Sequence, residues 1–396
     1  MLACAARRPP NERLALTRRW LAGIAFLTLF LSVGVGMHVY LAERLVLAPA
    51  WPASVRHAAL GALALAFAAV VAQAFLRRRR GSLSNALAWA AYGWLGLAFL
   101  LVMTTLASDV VLALVGAALP EGTVPVLARG RALLVATVGL AAGAVALGQG
   151  LAPPRLRRVE VPLARWPRAL DGFRIAQISD LHIGPLLDRR FARTVAERVN
   201  ALGADLVAVT GDLVDGSVAR VGAEVEPLAA LRARCGVYFV TGNHDYYSGA
   251  DGWVARMAEL GWRALRNERL AIDGGFDLAG VDDRHGNLVD PDGGEDLERA
   301  LAGRDPSRAV VLLAHDPTTF KDASRLGVDL QLSGHTHGGQ IWPFRWFVRA
   351  VVPWVEGLHR VGASALYVSR GTGFWGPPMR LGAPAEITEI TLRSAS

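Results

Sequence analysis

Lysine is almost missing from this chain: of 42 basic residues in 396, Lys321 alone is not arginine. So uniform a preference reflects compositional bias and is no sign of guanidinium chemistry at a site. Cysteine is nearly as scarce. Cys4 and Cys235, far apart and alone, exclude a disulfide framework and a zinc knuckle. Charged residues make up 19% of the chain against 53% hydrophobic, a balance that excludes disorder. No short repeat runs through the sequence, which excludes a collagen-like or coiled-coil rod. What is present in excess is apolar: the mean hydropathy of +0.32 exceeds that of an ordinary soluble enzyme, and membrane segments account for the surplus.

The net charge of +8 invites nucleic acid as a partner until it is divided along the chain. Residues 1–154 hold 13 arginines against 4 acidic groups, whereas residues 155–396 hold 29 basic and 30 acidic ones. The surplus lies beside the apolar stretches, where positive charge sets membrane topology. The remainder is balanced, so no nucleic-acid partner is expected.

Residues 1–154 read as a transmembrane anchor with helices at 20–42, 58–76, 85–106 and 132–152, each about 20 residues and long enough to cross a bilayer. Arg7, Arg8, Arg13, Arg18 and Arg19 precede the first, Arg77–Arg80 follow the second, and Arg155, Arg157 and Arg158 follow the fourth. Opposite them stand only Arg44, Arg56, Arg129 and Arg131. The excess on one side predicts a multi-pass plasma-membrane protein whose C-terminal half is cytoplasmic. Asp109–Leu119 is apolar but shorter than a span; were it to cross, that half would lie outside. The twin arginines in Thr17–Leu21 would point the same way if they were an export signal, but arginines before a first span are expected in any case. No ionisable residue sits at mid-span, which leaves ion or proton transport without a carrier and the bundle as an anchor.

From 155 to 396 the pattern changes to β-rich runs alternating with amphipathic stretches, the mark of an α/β domain. Strands are expected at Phe173–Ser179, Asp205–Thr210, Val237–Thr241, Phe276–Val281, Ala309–Ala314 and Asp329–Ser333. Phe191, Val195, Val199 and Leu202 recur at helical spacing behind Asp188 as an N-cap.

The chemistry lies in the short segments just after five of these strands. Ser179-Asp180-Leu181-His182 succeeds the first, Gly211-Asp212-Leu213-Val214-Asp215 the next, and Gly242-Asn243-His244-Asp245 the third. His315-Asp316 and Gly334-His335-Thr336-His337-Gly338-Gly339-Gln340 succeed the last two. Carboxylate, amide and imidazole groups thus gather at strand C-termini, the edge where open α/β sheets build their sites. With no thiolate among them, the set suits Mn²⁺, Fe or Zn²⁺ and not Ca²⁺ or a structural zinc. There are more ligands than one ion needs. Two divalent metals sharing a bridging carboxylate would use them, a spacing matched to phosphoryl transfer. Any one of these motifs alone could be a turn or a buried histidine; their joint order is what points to metal.

These motifs resemble those of the calcineurin-like metallophosphoesterase superfamily, over about Phe173 to Arg393. Gly338-Gly339-Gln340-Ile341 and Ser369-Arg370-Gly371-Thr372-Gly373 are similar to its membrane-associated branch. The resemblance implies a four-layer α/β/β/α sandwich after the N-terminal helical bundle. It implies that Asp180, His182 and His337 hold one metal, that Asn243, His315 and His335 hold the other, and that Asp212 bridges them. It makes His244 a catalytic acid beside the phosphate and off the metals. Asp245 either orients the His244 ring or caps a helix. The implied reaction is attack of a metal-bridged hydroxide on a phosphodiester or pyrophosphate bond.

The substrate is less determined than the reaction. Trp342, Phe344, Trp346, Phe347, Val348, Val351, Val352 and Trp354, interleaved with Arg345 and Arg349, suit either a bilayer interface or a core hairpin broken by Pro343 and Pro353. Phe374–Met379 is a second apolar surface. With the membrane anchor, these favour a lipid-linked phosphate or nucleotide-lipid, and branch members are likened to the pyrophosphatase that cleaves UDP-2,3-diacylglucosamine. A soluble nucleotide or phosphoester is the rival substrate, and a metal-dependent sensor or scaffold without turnover the rival class. Asp282, Asp283, Arg284 and His285 form either a substrate lid or a polar turn.

Overall fold

The apolar stretches become four long helices. The computed structural model describes residues 10–76, 81–115, 118, 120, 122–273, 275–289 and 293–395. Within it α1 spans Pro10–Leu41 and runs on through a π-helical turn at Ala42–Leu47, α2 spans Ala53–Leu76, α3 Ser82–Val115 and α4 Thr123–Leu151. All four carry a window long and apolar enough to cross a membrane. They outrun the apolar stretches because hydropathy marks only the part that lipid must cover, while backbone hydrogen bonding continues into polar flanks. Arg7, Arg8, Arg77–Arg80 and part of the 109–119 run lie outside the described residues.

Asp109–Val115 continues α3 and forms no separate crossing. Its one acid, Asp109, accepts from the Tyr40 hydroxyl at 2.7 Å and pairs with Arg44 at 3.1 Å and with Arg131. A charge near a helix end is thereby satisfied inside the bundle.

The described residues fall into two compact units, Met1–Leu76 with Leu97–Ala141, and Arg77–Gly96 with Ala142–Ser396. In the second, β1 (Arg155–Leu163) follows α4 directly. Then come β2 (Phe173–Ile178), α5 (Arg189–Asn200), β3 (Leu206–Thr210), α6 (Val218–Val225), β4 (Val237–Val240), α7 (Asn243–Ser248), α8 (Ala250–Glu259) and β5 (Arg263–Ala264). The strands β6 (Glu268–Ile272), β7 (Phe276–Gly280), β8 (Ala309–Leu313), β9 (Leu330–Ser333), β10 (Gly357–Val361), β11 (Ser364–Val368) and β12 (Glu386–Ser394) complete the domain. They form two six-stranded mixed sheets, ordered β1-β12-β2-β3-β4-β5 and β10-β11-β9-β8-β7-β6.

Side-chain alternation along each strand explains why both faces are buried. On β3, Leu206 and Ala208 face a core shared with Leu278, Val311, Leu313 and Leu332 of the other sheet, while Val207 and Val209 pack under α5, α6 and α8. On the far side Ala279, Val310 and Leu312 pack against Leu297 and Leu301. The result is the α/β/β/α sandwich, and its doubly buried strands read as unbroken apolar runs. Asp188 caps α5 as the sequence indicates, accepting from the backbone N–H of Arg190 and Phe191.

Candidate metal centre

The C-terminal ends of β2, β3, β4, β8 and β9 meet at one edge of the sandwich, because parallel pairing within each sheet points those strands the same way. Gln177 keeps the two sheet edges aligned: its buried amide donates to Thr210 Oγ1 in its own sheet and to the Ser333 carbonyl in the other, each at 2.9 Å. All seven residues expected to bind metal arrive there.

Their side chains form two adjoining groups. Asp180, His182 and His337 are one, with His182 Nε2 at 3.1 Å from His337 Nε2 and His337 Nε2 at 3.4 Å from Asp180 Oδ1. Asp212, His315 and His335 are the other, with His335 Nδ1 at 3.2 Å from His315 Nε2 and at 3.1 Å from Asn243 Oδ1. Asp212 Oδ2 lies between the groups, 3.7 Å from His182 Nε2 and 3.3 Å from His315 Nε2.

These residues fit cations. Asp180 Oδ2 is buried without a hydrogen-bond donor, a costly state that a cation relieves. His315 Nδ1 donates to the Thr210 carbonyl at 2.8 Å, which leaves its Nε2 lone pair facing His335 and Asp212. His182 Nδ1 donates to Asp215 Oδ1 at 3.2 Å, which frees its Nε2 in the same way. Burial, then His182 and Arg380, hold His337 well below its ordinary pKa, in the neutral form that a ligand needs. Burial opposes the charge of Asp212, but His315, His244 and His182 keep the carboxyl well below the usual range.

The backbone is strained to aim these groups. Asp180, His182, Asp212, His335 and His337 all have positive φ, between 48° and 73°. Five non-glycine residues in the left-handed region at one edge mark a site whose geometry is held by its surroundings. Two glycines make the close approach feasible: a Cβ at Gly334 would overlap Ser179 Oγ and Asp180 Oδ2, and one at Gly242 would overlap Asp212.

His244 stands beside the metal groups, and its ring Nδ1 donates to Asp215 Oδ1 at 2.7 Å. Asp245 does not reach that ring. Its carboxylate accepts from the backbone N–H of Leu213 at 3.0 Å and of Gly242 at 2.8 Å, which is the helix-capping role. Of the two readings of Asp245, a catalytic residue that orients His244 or a helix cap, its contacts match the cap: a side chain at the first turn of α7 points back along the helix to its free N–H groups, away from its neighbour's ring. Asp215 takes the orienting role. Its signal was present as the second aspartate of Gly-Asp-x-x-Asp, yet nothing in the spacing said that residue 215 would meet residue 244.

Arg380 was also not foreseen. Its guanidinium is fully buried and donates to the carbonyls of Gly373, Ala383, His337 and Arg370, while its backbone N–H donates to the Ala146 carbonyl at 2.8 Å. One residue thus ties the His337 loop to the last turns of α4.

The aromatic stretch after the last motif is a helix, Arg345–Val351, with no buried residue, and the core-hairpin reading falls with it. Trp342, Phe344, Trp346, Phe347 and Val351 are exposed. Of the polar cluster after β7, Asp282 is spent on Arg266 at 2.9 Å and Arg284 on Glu295 at 2.8 Å, as in a structural turn.

Comparison with known proteins agrees with this site. Residues 173–339 match the family model described as calcineurin-like phosphoesterase. The chain is similar to the "Transmembrane protein with metallophosphoesterase domain" of Bos taurus, 40% identical over 278 residues, and to its Danio rerio counterpart, 37% identical over 275. Each match covers 67% of this chain but only 62% of the relative's own length. The "Uncharacterized metallophosphoesterase YkuE" of Bacillus subtilis is 32% identical over 278 residues, which cover 65% of this chain and 94% of that one. Among solved structures, a dimetal phosphatase from Danio rerio matches with a TM-score of 0.37 at 13% identity, over 56% of this chain and 99% of that one.

The fold and the paired Asp/His clusters define a metallophosphoesterase domain. This chain belongs to the calcineurin-like phosphoesterase family, joined here to four helices able to span a membrane.

Proposed function

We propose that this protein is a membrane-anchored binuclear metal phosphoesterase that cleaves a phosphodiester or pyrophosphate bond in a lipid-linked substrate, of the kind represented by UDP-2,3-diacylglucosamine. The observation that carries the reaction class is Asp212 Oδ2 set between the two ligand groups. Asp180, His182 and His337 would hold one metal, Asn243, His315 and His335 the second, and Asp212, set between the groups, would serve both. The donor set suits Mn²⁺, Fe or Zn²⁺. When bound, two such ions supply Lewis-acid polarisation of the phosphoryl group and a water acidified toward neutral pH.

The rest is done by the chain. Burial opposes a proton on His244, but Asp212 and the hydrogen bond to Asp215 outweigh it and push the ring up to about 9. With Nδ1 committed to Asp215, Nε2 carries the proton that the leaving oxygen takes. Asp215 keeps the ring in that tautomer and also orients His182, so one carboxylate serves the acid and a ligand.

The lipid reading rests on what surrounds the site. Within the second unit, loop 374–380 packs on membrane helices: a Cβ at Gly96 would lie 2.7 Å from Met379 Sδ, and one at Gly150 would lie 2.5 Å from the Pro378 carbonyl. The same loop carries Trp375, whose ring lies 5.9 Å from that of His244. The exposed Trp346 and Phe347 follow the last metal motif and suit headgroup depth. Four spans and the arginine excess support a cytoplasmic catalytic domain.

Hydrolysis of bis(p-nitrophenyl) phosphate by the purified protein, with and without Mn²⁺ and beside Asp212→Asn, tests the reaction class. Metal-dependent turnover lost in the variant is expected; turnover that survives it would sink the proposal. Detergent-dispersed pyrophosphate lipids against soluble nucleotides test the substrate, and indifference to lipids would favour the soluble rival.

A further inference from the structure

The turn after β7 holds a pair of residues that the reaction above does not use. Asp283 is buried and accepts at Oδ1 from the backbone N–H of His285 at 2.9 Å and from its ring Nδ1 at 2.7 Å. This fixes the imidazole orientation and leaves Nε2 free. The ring is half-buried and packs edge-on to Tyr247, with centroids 5.8 Å apart. Tyr247 packs edge-on to His244 at 5.4 Å, and Trp375 flanks His244 at 5.9 Å. Tyr247 and Trp375 are both exposed. A series of rings therefore leads outward from the leaving-group acid and ends in a histidine gripped by a buried carboxylate.

Such a histidine favours an anionic partner at Nε2. The Asp283 hydrogen bond raises its pKa above the ordinary value against the effect of burial, and the charges of Asp283, Asp212 and Asp316 add to it. Neighbouring Arg284 is anchored through its Nε to Glu295, and His285 adds a fixed ring whose Nε2 is turned away from Asp283. An acyl chain has no use for a cation, and a neutral leaving group would need only the exposed rings. An anionic oxygen on the leaving fragment uses both.

We propose that His285, held by Asp283, binds a second phosphoryl group of the substrate on the leaving-group side of His244, with Tyr247 and Trp375 packing on the fragment beyond. This rests on the phosphoesterase reading above and narrows it: the substrate is a pyrophosphate diester, or a phosphodiester whose leaving fragment carries a further phosphate.

Full-length protein in detergent, loaded with Mn²⁺, is titrated calorimetrically with non-hydrolysable phosphonate analogues of diadenosine monophosphate and of diadenosine pyrophosphate, in which methylene groups replace the ester and bridging oxygens. These two ligands differ by one phosphoryl group. The wild type is expected to bind the second about tenfold more tightly. His285→Ala abolishes that preference while holding its affinity for the monophosphate analogue within about twofold, and His285→Arg restores it. Equal affinities in the wild type, or a preference that survives His285→Ala, overturn the proposal. Turnover of bis(p-nitrophenyl) phosphate by the same sample keeps the two readings apart: hydrolysis without the preference removes the subsite alone, and the preference without hydrolysis removes catalysis alone.

Discussion

Asp215 Oδ1 accepts from the Nδ1 atoms of both His244, at 2.7 Å, and His182, at 3.2 Å. One oxygen thus sets the tautomer of both rings, the proposed leaving-group acid and a proposed metal ligand. The two rings stand at 89° with centroids 4.7 Å apart, so neither can turn without losing the shared acceptor.

The first prediction comes from that sharing. If His244 acts in its protonated form, wild-type activity should fall at alkaline pH, and Asp215 is one of the groups that raise the pKa of the ring. Asp215→Asn removes a negative charge that favours the proton, and the alkaline limb should move down by about one pH unit. The kcat at neutral pH should drop by about tenfold to a hundredfold. A pH–rate profile of the variant that keeps the wild-type alkaline limb would show that Asp215 does not act on His244.

Asp245 is predicted to matter for folding. Its two carboxylate oxygens accept from the backbone N–H groups of Leu213 and Gly242 and so tie the start of α7 to the Asp212 loop from a fully buried position. Asp245→Ala should cost about 1–2 kcal/mol, the range for a lost helix cap. Denaturant titration measures it, and the alkaline limb should move down by less than in Asp215→Asn, because the His244 ring loses one nearby charge but retains its Asp215 hydrogen bond. A limb displaced as far as in Asp215→Asn, at unchanged stability, would restore Asp245 to the catalytic role.

Gly334 tests whether close approach at Asp180 is needed for metal. A methyl group there collides with Ser179 Oγ and with the partnerless Asp180 Oδ2. Gly334→Ala should leave far-UV circular dichroism unchanged while weakening metal binding by about tenfold or more, since displaced ligands lose geometry before the sheets lose packing. Metal content after dialysis reads this directly, and full retention would remove Asp180 from the ligand set.

The legible parts of this site were those carried by residue type at strand ends. That seven Asp, His and Asn side chains would meet at one edge, with His244 beside them, could be read because these residues recur after apolar runs, and doubly buried strands such as β3 make such runs conspicuous. The closing strand β12 was not legible: it lies between β1 and β2, parallel to one and antiparallel to the other, and carries buried Glu386 and Glu389 that break the apolar pattern. Partner choice was hidden for the same reason that it matters. Whether Asp215 or Asp245 turns toward His244 depends on the first turn of α7, and Arg380 meets Ala146 across 234 positions of chain. Contacts of that range leave no spacing to read.

The last prediction concerns the helix Arg345–Val351. Trp346 is 60% exposed and Phe347 56%, with Arg345 held by Glu356 at 2.7 Å at the start of the same helix. Two large exposed rings next to a metal motif have a physical use where the surrounding medium is the headgroup zone, since there they bury apolar surface without leaving the domain surface. Trp346→Ser with Phe347→Ser should therefore raise KM for a pyrophosphate lipid presented in vesicles by about tenfold, a loss of roughly 1.4 kcal/mol that partial burial of two rings readily supplies. The same double variant should hydrolyse bis(p-nitrophenyl) phosphate at the wild-type rate, because both rings are exposed and neither belongs to the ligand groups. Equal KM values for wild type and variant on vesicles would mean that the patch does not meet the bilayer, and the argument for a lipid substrate would then stand on the packing of loop 374–380 against α3 and α4 alone.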